Sequence, residues 1–267
     1  MSPHRSRAVV PLVVALVLAC AGCSATETIA SSEADDTTDD AAADPSVATA
    51  PPPTIGLGSE IDHEPGVDAD EVTADDGARA ADADLIDTVV MIGDSITVGS
   101  TPALEERFEQ LGFFDVTIEA ENGKRIAQEV SGNPSGVSIA DTLVATDVAD
   151  DPLEELWVVA LGTNDIGAYA ERDEVEAVVD EMLDAVPDDA SLIWVDTYLP
   201  NDVEGSELVN DVVRERLADR GNAVVAPWSA VADRDGVLSS DMIHPSDQGS
   251  EVFAATVAAT IDRFLDA

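Results

Sequence analysis

Residues 85–267 alternate short apolar runs with longer segments of helical period, and this alternation constrains the fold more than any other feature. The runs predict five strands, at 85–92, 114–120, 156–161, 191–198 and 223–227. The other segments predict helices at 101–111, 137–145, 174–186, 206–220 and 248–265. Strands that alternate with helices form a parallel sheet with helices on both faces. The sequence therefore predicts an α/β fold, a three-layer sandwich around a five-stranded parallel sheet.

The chain begins with a segment typical of an export signal. A basic start precedes an apolar stretch from Val9 to Ala21, which is short for a membrane span but suits a signal. Small residues precede Cys20 and Cys23, the only two cysteines, and this ending resembles a bacterial lipobox, in which cleavage exposes a cysteine that receives lipid. We expect residues 1–23 to be a lipoprotein-type signal and Cys23 to be lipidated. Lipidation of Cys20 and plain secretion are the alternatives.

Residues 24–84 are rich in Ala, Asp, Thr, Ser and Pro and contain almost no large apolar side chains. Such a segment cannot bury enough surface to offset its ordering entropy. It predicts a disordered acidic stalk, which leaves 85–267 as the one folded domain. The acidic run 68–76 lacks the glycine and closing glutamate of an EF-hand loop, so we expect no calcium site there.

The chain is strongly acidic, with a formal net charge of −44. Such a surface repels nucleic acid and anionic lipid headgroups. We therefore expect a neutral or cationic substrate, no nucleic-acid partner and contact with a membrane only through the lipid anchor. We expect a monomer, exported and held at the outer face of the cell membrane, or secreted.

Polar clusters follow three predicted strands where each strand ends. Gly93-Asp94-Ser95 follows the first strand, Asn122-Gly123 the second and Gly162-Thr163-Asn164-Asp165 the third. Because the carboxyl ends of parallel strands meet at one edge of the sheet, these clusters are expected to converge. A fourth cluster, Asp241 to His244, precedes the last helix, and we expect it to join them.

Ser95 lies where a nucleophile is expected, past the end of a buried strand and facing helix N–H groups that stabilise an anion. A serine that merely caps the next helix is the alternative. His244 is the only histidine of the predicted domain, so it is the available base. Asp241, three residues earlier, is near enough to orient its ring. Together the three residues favour a catalytic serine over a capping one. One histidine and no cysteine in this domain argue against a metal-dependent hydrolase.

Four short blocks in this order resemble the SGNH, or GDSL-type, serine hydrolase family over nearly all of 86–267. The blocks are Gly93-Asp94-Ser95-Ile96, with isoleucine where leucine is usual, then Gly123, Gly162-Thr163-Asn164-Asp165 and Asp241 to His244. The resemblance implies a flavodoxin-like SGNH fold, Ser95 as nucleophile, His244 as base and then acid, and Asp241 as its orienter. It also implies an oxyanion hole made of the Ser95 and Gly123 backbone N–H groups and the Asn164 side-chain amide. No metal and no other cofactor is expected.

Other side chains near these blocks receive supporting roles. Asp94, Thr163 and Asp165 are expected to be structural, the two carboxylates by accepting loop N–H groups. Lys124 and Arg125 are expected at the surface, with contact to a carboxylate of an acceptor substrate as the alternative.

A second, weaker resemblance suggests a class of substrate. The stretch from Trp194 to Pro200, with Asn210 and Trp228, is similar to the extracellular SGNH domains of peptidoglycan O-acetyltransferases. It suggests a small acyl group, acetyl above all, on envelope or extracellular carbohydrate. Tyr198 and Pro200 would then line the acyl end of the cleft, or else simply close the turn after the fourth strand.

Three functions remain open from the sequence. The first is an esterase that removes O-acyl groups, and the second is an O-acetyltransferase that uses the same acyl-enzyme. The third is a non-catalytic binding lipoprotein on an SGNH fold. The chain carries no integral-membrane module to supply an acyl donor, which favours hydrolysis over transfer.

Overall fold

The computed structural model describes residues 83–146, 155–169 and 171–266. The predicted signal with Cys20 and Cys23, and residues 24–82 of the predicted stalk, lie outside the described residues. Within these three ranges no helix has the length and apolar character needed to cross a membrane.

The core of the fold is a five-stranded parallel sheet in the order β2-β1-β3-β4-β5. Its strands are β1 Thr88–Gly93, β2 Asp115–Ala120, β3 Glu155–Ala160, β4 Ser191–Val195 and β5 Ala223–Ala226. The chain moves from β1 outward to β2 and then crosses back to β3 on the other side of β1. A ligand crevice forms where the winding reverses, beyond the carboxyl ends of β1 and β3.

Helices cover both faces of the sheet. They are α1 Ser95–Leu111, α2 Gly136–Ala145, α3 Arg172–Ala185, α4 Val203–Arg220, α5 Ser229–Ala232 and α6 Asp247–Asp266. Alternate strand residues face opposite sides: Val89 and Met91 pack in the core under α1 and α6, whereas Val90 and Ile92 pack in the core under α2, α3 and α4. These two cores confirm the predicted three-layer α/β sandwich.

The largest difference between the predicted and the observed secondary structure is at the start of α1. The helix begins at Ser95, six residues before the predicted start at Thr101, and it contains Pro102. Asp94 is the N-cap, and its Oδ1 accepts the N–H of Ile96 at 2.9 Å. The cap is thus Asp94 and not Ser95. All other predicted bounds lie within three residues of the observed ones.

Candidate active site

The junction of β1 and α1 presents Ser95. A Cβ on Gly93 would lie 2.0 Å from Thr97 Oγ1, so only glycine lets the strand end approach the first helical turn this closely. Asp94 caps that turn, and Ser95 follows as the first helical residue. Its backbone N–H is one of the four at a helix start that have no acceptor within the helix. Side chain and N–H therefore both lie at the crevice.

The structure brings together the three residues of the predicted triad. His244 Nε2 lies 2.9 Å from Ser95 Oγ, and His244 Nδ1 lies 2.8 Å from Asp241 Oδ2. With Nδ1 protonated, the imidazole donates to the carboxylate and accepts the serine hydroxyl. Both distances are within hydrogen-bond range, so a proton can pass from Ser95 to His244.

Hydrogen bonds within the loop before α6 hold the Asp241 carboxylate next to the imidazole of His244. While Oδ2 faces His244, Oδ1 accepts the backbone N–H groups of Ile243 and His244 and the hydroxyl of Ser239, each at 2.9 Å. The bond from the His244 ring and these further bonds hold the pKa of Asp241 well below its usual range. The carboxylate therefore stays ionised, and it can orient the ring and stabilise an imidazolium.

Gly123 lies in a tight turn after β2 that borders the crevice. It has φ +76°, and the N–H of Lys124 donates to Glu121 O at 3.2 Å, which together define a type II turn. In such a turn the central carbonyl and the next N–H point to opposite sides. The carbonyl of Asn122 accepts from Asn133 Nδ2 at 3.1 Å, so the N–H of Gly123 points away from Asn133.

Asn164, just past β3, bridges two of these segments. Its Nδ2 donates to Asp94 Oδ2 and to the backbone carbonyl of Lys124, both at 3.1 Å. The amide thus joins the end of β1 to the turn that holds Gly123. Because both N–H groups are directed at protein acceptors, an oxyanion at this place must share one of them.

These residues border an open cleft of about 540 Å³. It is lined by Ser95, Val98, Gly99, Asn122, Gly123, Asn164, His244 and Pro245. Among these lining residues His244 has the one ionisable side chain that can bear a charge. Tyr198 and Pro200 are not among them, and Tyr198 packs against the core under α1 and α6. The structure does not place these two residues beside Ser95.

The expectation that Lys124 is a surface residue was wrong. Its side chain is 2% exposed, and Nζ donates to the carbonyl of Pro134 at 3.1 Å and lies 3.8 Å from Glu121 Oε2. Burial lowers the pKa of Lys124. The side chain therefore anchors its own loop and does not reach toward a substrate. Arg125 is half-buried and donates to Gln128.

Buried carboxylates lie behind the cleft. Burial raises the pKa of Asp94 to about 7 and the pKa of Asp165 to about 6. Asp94 bonds the start of α1, and Asp165 Oδ2 accepts the N–H of Ile126 at 3.1 Å. Both carboxylates therefore bond backbone N–H groups that shape the site. Burial also raises the pKa of Asp196, after β4, to about 6.

Solved structures with a similar fold include enzymes of acetyl transfer and acetyl removal. The C-terminal catalytic domain of peptidoglycan O-acetyltransferase A from Streptococcus pneumoniae, solved with a methylsulfonyl adduct, has 17% identity and a TM-score of 0.51, and the match covers 68% of this chain and 96% of that one. A family 3 carbohydrate esterase from Clostridium thermocellum has 18% identity and a TM-score of 0.51, with coverages of 66% and 96%. Est24, a carbohydrate acetylesterase from Sinorhizobium meliloti, has 16% identity and a TM-score of 0.50, with coverages of 66% and 98%. At these identities the likeness shows the fold alone.

A comparison with curated protein sequences finds no match. A family model, by contrast, matches residues 91–252, more than half of the chain. The matched range holds every residue of the predicted triad and oxyanion hole. The protein therefore belongs to the GDSL-like lipase/acylhydrolase family, the SGNH hydrolases, and is an enzyme that acts on carboxylic ester bonds.

Proposed function

We propose that this protein is an extracytoplasmic serine esterase that removes small O-acyl groups, acetyl above all, from envelope or extracellular carbohydrate. The observation that carries the proposal is the hydrogen-bonded series from Asp241 through His244 to Ser95, with distances of 2.8 and 2.9 Å. It lies beside the cleft that Gly123 and Asn164 also line.

Acylation begins when Ser95 Oγ attacks the ester carbonyl carbon while His244 Nε2 takes the hydroxyl proton. The carbonyl oxygen becomes an anion that the Ser95 and Gly123 N–H groups and the Asn164 amide stabilise. Losing one such donor typically costs about 100- to 1000-fold in rate. When the carbon–oxygen bond breaks, His244 returns the proton to the leaving alcohol oxygen, and the acyl group remains on Ser95.

Deacylation repeats these steps with water. His244 takes a proton from the water as its oxygen attacks the acyl carbon, and the same donors stabilise the second anion. Collapse releases the carboxylic acid, and the proton on His244 returns to Ser95 Oγ. Throughout, the ionised Asp241 stabilises the imidazolium.

The cleft and the charge of the chain support a neutral carbohydrate ester. Apart from His244 the lining offers no charged side chain to bind an anionic acyl group or an anionic sugar. The formal net charge of −44 also disfavours anionic polymers. Carbohydrate esterases among the proteins of similar fold agree with this substrate class.

Transfer to a sugar hydroxyl is the second candidate. It is favoured by the fold shared with the catalytic domain of a peptidoglycan O-acetyltransferase. The same acyl-enzyme would form, and a sugar hydroxyl instead of water would resolve it. A non-catalytic binding lipoprotein is disfavoured, because such a protein would have no need of a triad with hydrogen-bond geometry.

Hydrolysis of p-nitrophenyl acetate, butyrate and octanoate tests the proposal. We expect release of p-nitrophenol to be fastest with acetate and to be absent in the Ser95→Ala protein. Equal release by both folded proteins would contradict it. Adding a chitooligosaccharide separates the two candidates, because a transferase would speed release and acetylate the sugar, whereas an esterase would produce acetate alone.

The location is part of the proposal, which places the enzyme on the outer face of the cell membrane through a lipid on Cys23. The small residues before Cys23 support it. Labelled palmitate should enter the wild-type protein and the Cys20→Ser variant but not the Cys23→Ser variant. Label in the wild-type protein and the Cys23→Ser variant but not in the Cys20→Ser variant would move the anchor to Cys20, and no label in any of them would indicate plain secretion.

A further inference from the structure

Asp94 has two bonds that the catalytic steps above do not use. The residue is 1% exposed, and a carboxylate buried to this degree is costly unless its oxygens are hydrogen-bonded. Oδ1 accepts the N–H of Ile96 at 2.9 Å, and Oδ2 accepts from Asn164 Nδ2 at 3.1 Å. One buried carboxylate therefore joins the helical turn of Ser95 to the Asn164 amide.

The connection continues to the third oxyanion donor. Asn164 Nδ2 also bonds the carbonyl of Lys124, which follows Gly123 in the same turn. The side chain of Lys124 in turn bonds the carbonyl of Pro134. All three predicted donor segments are thus joined by hydrogen bonds that begin at Asp94.

We propose that Asp94 is a positioning residue that holds the Ser95, Gly123 and Asn164 donors in place for the oxyanion, and that it does so fully only when ionised. The inference rests on the proposed acyl-transfer function. Asp94 touches no reacting atom in this scheme and acts through Asn164 and the start of α1. An ionised carboxylate accepts on both oxygens, whereas protonation turns one of them into an O–H donor.

The ionisation of Asp94 depends on groups from three surrounding segments. Burial is the largest influence on the pKa of Asp94 and raises it, as does the charge of Asp165. The N–H of Ile96 and the charge of His244 lower this pKa. The resulting pKa of Asp94 is about 7. Asp196 borders the same small internal void as Asp94. As the pH falls through about 7, Asp94 gains a proton and the bond to Asn164 weakens.

The acid side of the pH profile should therefore contain two protonations. His244 must be neutral to act as a base, and Asp94 must be ionised to hold the donors. In wild type, log kcat/KM should fall with a slope steeper than 1 over about one to two pH units below about 7 and then return to a slope of about 1, whereas a single protonation gives about 1 throughout.

The Asp94→Asn variant tests the inference. Asparagine keeps the size and the capping ability of aspartate. Its NH2 group, however, must face either the N–H of Ile96 or Nδ2 of Asn164, so one donor opposes another. We expect kcat for p-nitrophenyl acetate to fall about 10- to 100-fold with KM little changed, because a misaligned oxyanion donor acts on the transition state. The acid slope should fall to about 1.

A matched control exists in Asp202→Asn. Asp202 caps α4 through a 2.9 Å bond from the N–H of Gly205 to its Oδ1, and it does not line the cleft. We expect this variant to keep the wild-type kcat and the wild-type slope. Asp94→Ser also retains a capping residue, and we expect it to lose as much kcat as Asp94→Asn. It replaces Asp94→Asn in the test if the Asp94→Asn protein folds poorly.

Labelling of Ser95 by a fluorophosphonate separates failure of the inference from failure of the proposed function. If wild type is labelled no faster than Ser95→Ala, the nucleophile is wrong and the inference falls with it. If wild type is labelled and both Asp94 variants react at the wild-type rate or faster, with an unchanged acid slope, the triad stands and the positioning role is overturned. Slower labelling of both Asp94 variants supports it.

Discussion

Replacing His244 by alanine is expected to lower kcat/KM for p-nitrophenyl acetate by at least about 1000-fold, since removal of a triad base typically costs several powers of ten. The imidazole is the group that lies 2.9 Å from Ser95 Oγ, so the variant has no base to take the hydroxyl proton. The chain offers no other histidine except His4 and His63, which precede the described domain. Initial rates over a range of ester concentrations measure the loss.

Asp241→Asn should keep roughly ten times more activity than His244→Ala, because the acidic member of a triad contributes less than its base. Asparagine retains an oxygen for the Ser239, Ile243 and His244 donors but loses the charge that stabilises the imidazolium. Asp247→Asn, at the exposed start of α6, removes the same charge outside the triad and should leave kcat/KM unchanged. A His244→Ala protein as active as wild type would contradict the triad, and so would an Asp241→Asn protein less active than His244→Ala.

Strong local patterns made most of the fold predictable. Buried strands such as β3 are apolar after their first residue, and helices such as α3 carry a regular apolar stripe, so the order of these segments alone implied the parallel sheet. The first turns of α1 were missed because Gly99 and Pro102 are unfavourable inside a helix. Asp94 was the available signal, since an aspartate at this place is a strong N-cap.

The convergence of the site was predictable because parallel strands end at one edge, which brings Ser95 and Asn164 together from distant parts of the chain. Contacts between loops were not. The burial of Lys124 depends on the Pro134 carbonyl ten residues away, and no periodicity encodes it. The strand pattern around Tyr198 continued past the end of β4, where the N–H of Thr197 instead donates to Asn210 Oδ1 at 2.8 Å.

Asn164→Asp is expected to lower kcat/KM for p-nitrophenyl acetate by about 1000-fold or more, the upper end of the cost of one aimed donor. The substitution keeps the size of the side chain but removes both N–H groups. Asp94 Oδ2 and the Lys124 carbonyl would then face carboxylate oxygens. A further negative charge would also lie where the oxyanion forms. Asn201→Asp makes the same chemical change at an exposed turn after β4 and should leave the rate within a few-fold of wild type.

The difference between Asn164→Asp and Asp94→Asn separates two roles of the amide. If Asn164 only bridges Asp94 and Lys124, breaking either side of the bridge removes the same alignment, and the two variants should lose similar amounts of kcat. If it also donates to the oxyanion, Asn164→Asp loses a direct bond that Asp94→Asn retains, and its kcat should be lower by about another 10-fold or more. An Asn164→Asp protein with wild-type kcat would exclude both roles, because neither the bridge nor the donor survives the substitution.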